Sequence, residues 1–374
     1  MTSVGRCVRI LAMATLGVLA SCGSTSRPGA SGRAPLPSPP IFVSVPVPAP
    51  APRPHNAAPA QLQASVDALA RNFQGKFGIA IRAVDEGWTV EAGQSRTRLP
   101  QQSVSKLWVA MTLMSLRDQG KARLDDPVLV RPEDLTLFHQ PIAMLVKGAG
   151  YQTTTGDLLT RALTHSDNTA NDRLLTFVGG PPAVRAMIEA KQLGDIRFGP
   201  GERLLQSGTA GLTWDQRWGG NNGFEIARSR LDPAVRAAAL DTYVNNPPDG
   251  AAPIAIADAI ARLARGELFT ETSTRILLQT MGASVTGRAR MRAALPGGWQ
   301  IAHKTGTGQD LGGRNAGFND VGLITAPDGR RYAIAVMIGD TRRPIGERQA
   351  LIRNVASAVA AYAGGSRYGG GVAN

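Results

Sequence analysis

Strand-like patterning occurs at only two places in this chain, about two hundred residues apart. Near the start, Phe77–Val84 and Trp88–Ala92 are rich in β-branched and aromatic residues and are joined by the tight turn Asp85-Glu86-Gly87. Near the end come Trp299–His303, Asp320–Thr325 and Tyr332–Ile338, the last two separated by Pro327-Asp328-Gly329. Everything between reads as helices and loops, beginning with a helix expected from about Ser103 to Arg117 and running to about Met281. Gln61–Phe73 places Leu62, Val66, Leu69 and Ala70 on one helical face, and a long helix is expected over Ile345–Tyr362. Strands split this way can share a sheet only if the whole helical stretch is looped out between them. The expected fold is α+β: a five-stranded antiparallel sheet flanked by the N- and C-terminal helices, plus an all-helical lobe over about 95–285. There is no βαβ alternation and no internal repeat.

The termini lie outside this pattern. Residues 1–22 open with Arg6 and Arg9, followed by the apolar run Ile10 to Ala20, a secretory signal too short to read as a membrane span. The run ends in Leu19-Ala20-Ser21-Cys22, which resembles a bacterial lipoprotein box. The resemblance implies cleavage before Cys22 and lipidation of that thiol, with several acyl chains giving the anchor its strength. Ordinary signal cleavage, with Cys22 a bystander, is the alternative. Residues 23–60 hold eleven of the 25 prolines, many alternating, as in Val45-Pro46-Val47-Pro48. Such a segment favours extended polyproline conformations and reads as a spacer. The Gly-rich tail 364–374 is expected to be disordered. Export to the periplasmic face of a bacterial membrane follows as an expectation.

Composition excludes several function classes. Cys7 and Cys22 are the only cysteines and there are four histidines, so neither a disulfide framework nor a cysteine-rich metal site belongs to the body, and no cofactor is demanded. The net charge is +13, but five arginines and no acid lie in residues 1–60, leaving +8 for the remainder. Those charges are scattered and not interleaved with aromatics, so nucleic acid is not the expected partner. A monomer acting on a small molecule is the expectation.

Three short motifs carry the chemistry. Ser103-Val104-Ser105-Lys106 is S-x-x-K; at a helix start, positions i and i+3 share a face and bring the hydroxyl near the amine. A serine becomes a useful nucleophile when a neighbouring base takes its proton, and lysine can be that base when burial and nearby positive charge lower its pKa. Sixty-three residues on, Ser166-Asp167-Asn168 offers a second hydroxyl to pass a proton to a leaving amine and an amide to bind a substrate side chain. Lys304-Thr305-Gly306-Thr307-Gly308 falls at the end of the strand Trp299–His303. There a strand edge can pair with a peptide-like ligand, Lys304 and Thr305 suit a carboxylate, and Gly306 and Gly308 leave room for close approach. S-x-x-K alone is common by chance; the three in order are not. His165 and His303 flank the motifs and read as packing or hydrogen-bonding residues, Asp167 as a structural one, and Trp108 and Met111 as core.

At this point the chain resembles a class A serine β-lactamase, within the wider group of penicillin-recognising acyl-serine enzymes. The resemblance covers roughly residues 61–363. It includes Ser166-Asp167-Asn168-Thr169-Ala170-Asn171-Asp172-Arg173-Leu174-Leu175 with its exit Gly179-Gly180-Pro181, the stretch Thr286 to Pro296 with Trp299, and Gly266-Glu267-Leu268. It implies Ser103 as the acylated nucleophile, Lys106 as its base partner, Ser166 as proton shuttle and Asn168 on the substrate amide. It further implies Lys304 and Thr305 on the carboxylate with Arg290 in support, and the N–H groups of Ser103 and Thr307 as the oxyanion hole.

The departures concern deacylation. The family holds its hydrolytic water with a glutamate in E-x-x-L-N; family spacing from Ser166 lands on Glu202, in Glu202-Arg203-Leu204-Leu205-Gln206, where Gln replaces Asn. Gly199-Pro200 replaces the Asp-Arg pair that usually precedes this glutamate, so the loop's usual salt bridge is expected to be missing. Asp172 stands where the family usually has Asn, and is expected to repel Glu202 or share a proton with it. Residues 207–250 read as an insertion that reshapes the loop or lids the site, or else as a solvated excursion. A serine β-lactamase deacylating through Glu202 is the first expectation. A penicillin-binding protein or other acyl-serine peptidase or transpeptidase-like enzyme acting on cell-wall peptides with slow lactam turnover, and a non-catalytic lipoprotein binding peptidoglycan, are the alternatives.

Overall fold

The computed structural model describes residues 56–365. Helix α1 (Ala60–Arg71) leads into β1 (Lys76–Ala83) and β2 (Thr89–Gly93). The chain then leaves the sheet. A 3₁₀ turn over Gln102–Ser105 feeds α2 (Lys106–Asp118), and a small hairpin pairs β3 (Pro127–Val130) with β4 (Tyr151–Thr154). Next come α3 (Thr155–Thr160), α4 (Asn168–Phe177), α5 (Gly180–Ala190), α6 (Glu202–Thr209), α7 (Gly223–Ser229), α8 (Pro233–Asn245), α9 (Pro253–Ala264) and α10 (Glu271–Gly282). The sheet resumes with β5 (Gln300–Thr307), β8 (Phe318–Thr325) and β9 (Arg331–Asp340), with the two-residue strands β6 (Asp310–Leu311) and β7 (Arg314–Asn315) between, and α11 (Ile345–Gly365) follows. The sheet order is β2-β1-β9-β8-β5, all neighbours antiparallel. β1 therefore pairs with β9 across the whole insert.

Alternation along the strands explains why both faces are covered. On β9, Tyr332, Ile334, Val336 and Ile338 join a core with Leu62 and Val66 of α1 and Leu351, Ile352, Val355 and Val359 of α11. The intervening Ala333, Ala335 and Met337 face the other way, into a core shared with α2 and α9. The small residues on that face let α9, itself rich in buried alanines, lie close against the sheet. Helix α2 is buried from Lys106 through Met114, with Trp108 fully enclosed and its Nε1 donating to Gln101 Oε1 at 2.6 Å. Burial of such a side chain stabilises by roughly 1.5–3 kcal/mol, and here it also pins the turn before Ser103.

Two boundaries differ from expectation. The helix expected from Ser103 begins as α-helix only at Lys106, because the preceding residues form the tighter 3₁₀ turn. The strand expected to stop at His303 continues through Thr307, pairing Gly306 with Asn319 and Thr307 with Phe318. Lys and Gly have low strand propensity, so cross-strand pairing rather than local preference extends it.

Candidate active site

The turn bearing Ser103 is held from several sides. Gln102 adopts φ 54°, a left-handed conformation costly for a residue with a Cβ. Its N–H donates to Asp249 Oδ2 at 2.8 Å, and its side-chain amide donates to Tyr243 Oη at 2.7 Å and to the Ala316 carbonyl at 3.0 Å. Phe138 and Ser166, both at φ 60°, share this strain, and both line the same cleft. Backbone strain gathered around one cavity marks a functional site.

That cleft has a volume of about 580 Å³ and is lined by Ser103, Ser166, Asn168, Glu202, Arg290, Thr305 and Thr307, among others. Beneath its floor lie two fully buried lysines, Lys106 and Lys304. The Lys106 ammonium has three protons and three acceptors: Ser103 Oγ at 2.6 Å, Asn168 Oδ1 at 2.8 Å and Glu202 Oε1 at 2.5 Å. Lys304 Nζ donates to Ser166 Oγ at 2.9 Å and to the Thr305 carbonyl at 2.8 Å. Burial, reinforced by the charge of Lys106, holds the Lys304 ammonium well below its ordinary pKa. Two hydroxyl–lysine pairs thus meet in one cavity, from a helix start, the turn before α4, and a strand.

The remaining groups shape the walls. Thr305 Oγ1 lies 2.9 Å from Thr286 Oγ1. Arg290 is buried and spends its fork on β5, donating to the Gly306 carbonyl at 2.9 Å and Thr307 Oγ1 at 2.5 Å, with its guanidinium 3.7 Å from the centroid of the Phe318 ring. Burial pushes its pKa down to about 10. Asn168 also donates to the Leu137 carbonyl at 3.0 Å. Asp167 caps α4 through the Ala170 N–H at 2.8 Å and accepts from the Ile142 N–H at 2.6 Å. His303 is buried with Nδ1 2.8 Å from Asp320 Oδ1, while His165 lines the cleft.

Gly306 and Gly308 serve a different neighbour from the one expected. A Cβ on Gly306 would collide with the Gln101 carbonyl, and one on Gly308 with that of Ala316. The close approach they permit is that of the protein's own backbone, which brings the Ser103 turn directly against β5.

The loop before α6 also differs in its fastening. Asp172 Oδ1 accepts the Glu202 N–H at 2.8 Å, Oδ2 accepts the Arg203 N–H at 3.1 Å, and Oδ2 lies 3.5 Å from Arg203 Nε. A carboxylate–arginine contact is therefore present, from α4 to the residue after Glu202, although Gly199-Pro200 supplies none. Asp172 engages the backbone of Glu202, and no hydrogen bond joins the two carboxylates among the described residues. Burial first, and the charge of Glu202 second, push the Asp172 carboxyl upward, while its two N–H donors and Arg203 oppose them. Gln206 Nε2 reaches Gln102 Oε1 at 2.9 Å and approaches Glu202 Oε2 at 3.5 Å.

Phe138, His139, Arg228 and Gln309 also line the cleft and carried no motif that named them. Arg228 came nearest, lying within the stretch singled out as an insertion. Among the described residues no group of three or more His, Cys, Asp or Glu could hold a metal ion, and no helix is long and apolar enough to cross a membrane. Cys22 lies outside the described residues.

Comparison with known proteins bears on the family and the fold. The model of the β-lactamase enzyme family matches residues 61–363. The extended-spectrum β-lactamase PER-1 of Pseudomonas aeruginosa is 28% identical over 260 residues, 69% of this chain and 73% of the relative. The β-lactamase L2 of Stenotrophomonas maltophilia is 30% identical over 255 residues, 67% of this chain and 71% of the relative. Among solved structures, a β-lactamase from Chitinophaga pinensis superposes with a TM-score of 0.67 at 24% identity, covering 81% of this chain and 99% of that one.

Proposed function

We propose, from the premise that this chain belongs to the β-lactamase enzyme family, a division of labour among its site residues. The enzyme is a serine β-lactamase, and its substrates are β-lactams. Ser103 Oγ attacks the lactam carbonyl carbon, and the N–H groups of Ser103 and Thr307 receive the developing oxyanion. The Ser103 proton must go to a base. Lys106 already donates to Ser103, Asn168 and Glu202, so it accepts only after passing one proton to Glu202. The C–N bond then breaks, and through Ser166, which Lys304 supports, the departing nitrogen takes the proton that Lys106 accepted from Ser103; Lys106 then recovers its own proton from Glu202, leaving that carboxylate ionised. Lys304 and Thr305 hold the substrate carboxylate, with Arg290 fixing the strand beneath it. Asn168 meets the acyl amide. In the second half-reaction Glu202 takes a proton from water, whose oxygen attacks the ester carbonyl; the bond from that carbon to Ser103 Oγ breaks, and the proton held by Glu202 returns to Ser103 through Lys106.

The observation that carries this reading is the three-way bridge from one buried ammonium to Ser103, Asn168 and Glu202. A chromogenic cephalosporin followed by intact-mass spectrometry tests it. Wild type is expected to turn over with no lasting adduct, Glu202→Gln to acylate more slowly and deacylate more slowly still, so that a Ser103 adduct accumulates, and Ser103→Ala to form none. Glu202→Gln that hydrolyses as fast as wild type removes Glu202 from the mechanism.

We propose also that the protein acts as a monomer, exported and held to the periplasmic face of a membrane by lipid on Cys22. The support is the signal pattern with its lipoprotein box. Cys22→Ser is expected to shift the protein from membrane to soluble fractions; continued retention would refute the anchor.

A further inference from the structure

We propose that Arg228 recognises an anionic group on the acyl side chain of the β-lactam, making substrates with a negatively charged side chain a preferred class. The proposal rests on the β-lactamase reading above and adds a residue from the 207–250 segment to it.

Helix α7 is fixed by Phe224, which is fully buried beside Leu137 and Ala210. The Phe224 ring meets Phe138 edge-on at 5.3 Å and Trp218 at 5.9 Å. Arg228 follows four residues later, on the same helical face. Its guanidinium carbon lies 5.6 Å from the Phe138 ring centroid and 5.5 Å from that of Phe224, and Nη1 donates to Gln309 Oε1 at 3.0 Å. The segment therefore seats one half-buried cation between an aromatic wall and the chain that follows β5.

Arg228 faces the cleft with unspent capacity. It lines the cavity beside Ser103. Among the described residues no carboxylate lies within ion-pair distance of it. Burial and the like charge of Arg236 weigh against its charged form, and Glu225, one turn back on α7, favours it without forming an ion pair. A half-buried guanidinium with no directly paired carboxylate gains by meeting an anion, and its planar fork fits a carboxylate. Its position on the cleft is set by its bonds: Gln309 Nε2 donates to the Gln206 carbonyl at 2.8 Å, and Gln206 approaches Glu202. Arg228 is thus tied to the Glu202 side, whereas Lys304, bonded to Ser166, serves the carboxylate that β-lactam substrates share. A second anion on the substrate, carried by the acyl group, is what Arg228 is placed to meet.

The test compares benzylpenicillin with its α-carboxy derivative, which differ by one carboxylate on the side chain. The readout is the ratio of kcat/KM for the charged over the neutral substrate. Arg228→Gln is expected to lower that ratio about tenfold, the factor that 1.4 kcal/mol represents, and Arg228→Lys to recover part of it. In wild type, added salt is expected to lower the ratio, since a half-exposed pair is screened; this keeps the proposal testable if a variant does not fold. A ratio within about twofold of wild type in Arg228→Gln, or one indifferent to salt in wild type, overturns the proposal while leaving the β-lactamase reading intact. Wild type that hydrolyses neither penicillin overturns both.

Discussion

The two walls of the cleft are built on opposite principles. The sheet wall is β5, paired along its length with β8 and fixed from behind by Arg290 and the His303–Asp320 pair. Its side chains are positioned by backbone pairing that involves the whole sheet. The loop wall is Glu202, Gln206 and the helices of the 207–250 segment, held mainly by side-chain contacts, among them Asp172 to the backbone of residues 202 and 203, Asp249 and Tyr243 to Gln102, and Phe224 against Leu137 and Phe138. Damage to the sheet wall should therefore cost fold and both half-reactions together. Damage to the loop wall should slow deacylation more than acylation.

Gly306→Ala should produce the largest effect. The added Cβ meets the Gln101 carbonyl, a backbone atom that cannot swing aside. Either β5 or the Ser103 turn must shift. Overpacking of this kind costs about 1–3 kcal/mol, and a misplacement near 1 Å costs on the order of a hundredfold in rate. Pre-steady-state acylation and thermal melting should fall together. A variant that acylates normally would mean the two elements are less tightly coupled than their packing indicates.

Asp172→Ala should come next and behave differently. It removes the acceptor for two N–H groups at the start of α6, a loss of about 0.5–2 kcal/mol for a helix cap. Asp172 is a positioning residue, so the diagnostic is the split between half-reactions. Acylation by Ser103 should stay within a few-fold of wild type, while deacylation slows by about tenfold and the adduct becomes visible by mass. Equal slowing of both steps would make the two walls one unit.

What the sequence disclosed follows the same division. The triplets at Ser103, Ser166 and Lys304 sit on a turn before a helix, a helix cap and a strand, where side-chain direction follows from local structure. The sheet was legible because β1, β8 and β9 carry periodic apolar residues. The extension of β5 over residues 304–307 was not, since pairing with β8 rather than propensity decides it. On the loop wall the missing Asp-Arg pair was visible, but the contact of Asp172 with Arg203 was not: it joins positions thirty-one apart, and no local pattern encodes it. Arg228 was hidden for the same reason. Only the packing of Phe224 against Phe138 brings it to the cleft.

Asp249 gives the loop wall a pH dependence between about pH 4 and pH 7. Burial raises this carboxyl from 3.8 to about 7, against the Gln102 N–H and the Tyr243 hydroxyl that favour its charge. Its folded pKa thus lies above the unfolded one. As pH rises from about 4 to about 7, the unfolded chain releases this proton while the native state keeps it, so this contribution is fully present at low pH and declines by up to roughly 1.4 kcal/mol per unit. Above about 7 it is flat. Asp249→Asn should remove the slope: the difference in unfolding midpoint between wild type and variant should change with pH only within that window. A constant difference from pH 4 to 8 would place the titration elsewhere.

Tyr243→Phe should be the smallest effect and the finest probe of the comparison. The hydroxyl receives Gln102 Nε2 at 2.7 Å and donates to Asp249 Oδ2 at 3.2 Å, while the ring stays in the small core with Leu205, Leu240 and Val244. Phenylalanine keeps that ring. The loss should be about 1 kcal/mol for buried hydrogen bonds. Because Gln102 also bonds Ala316 and Gln206, the Ser103 turn keeps its place and acylation should barely change. The consequence specific to this arrangement is electrostatic: without the hydroxyl, ionised Asp249 loses a donor, and the stability slope should extend to higher pH than in wild type. A variant whose stability falls while the slope keeps its position would show that the hydroxyl only packs, and that Gln102 alone governs the carboxylate.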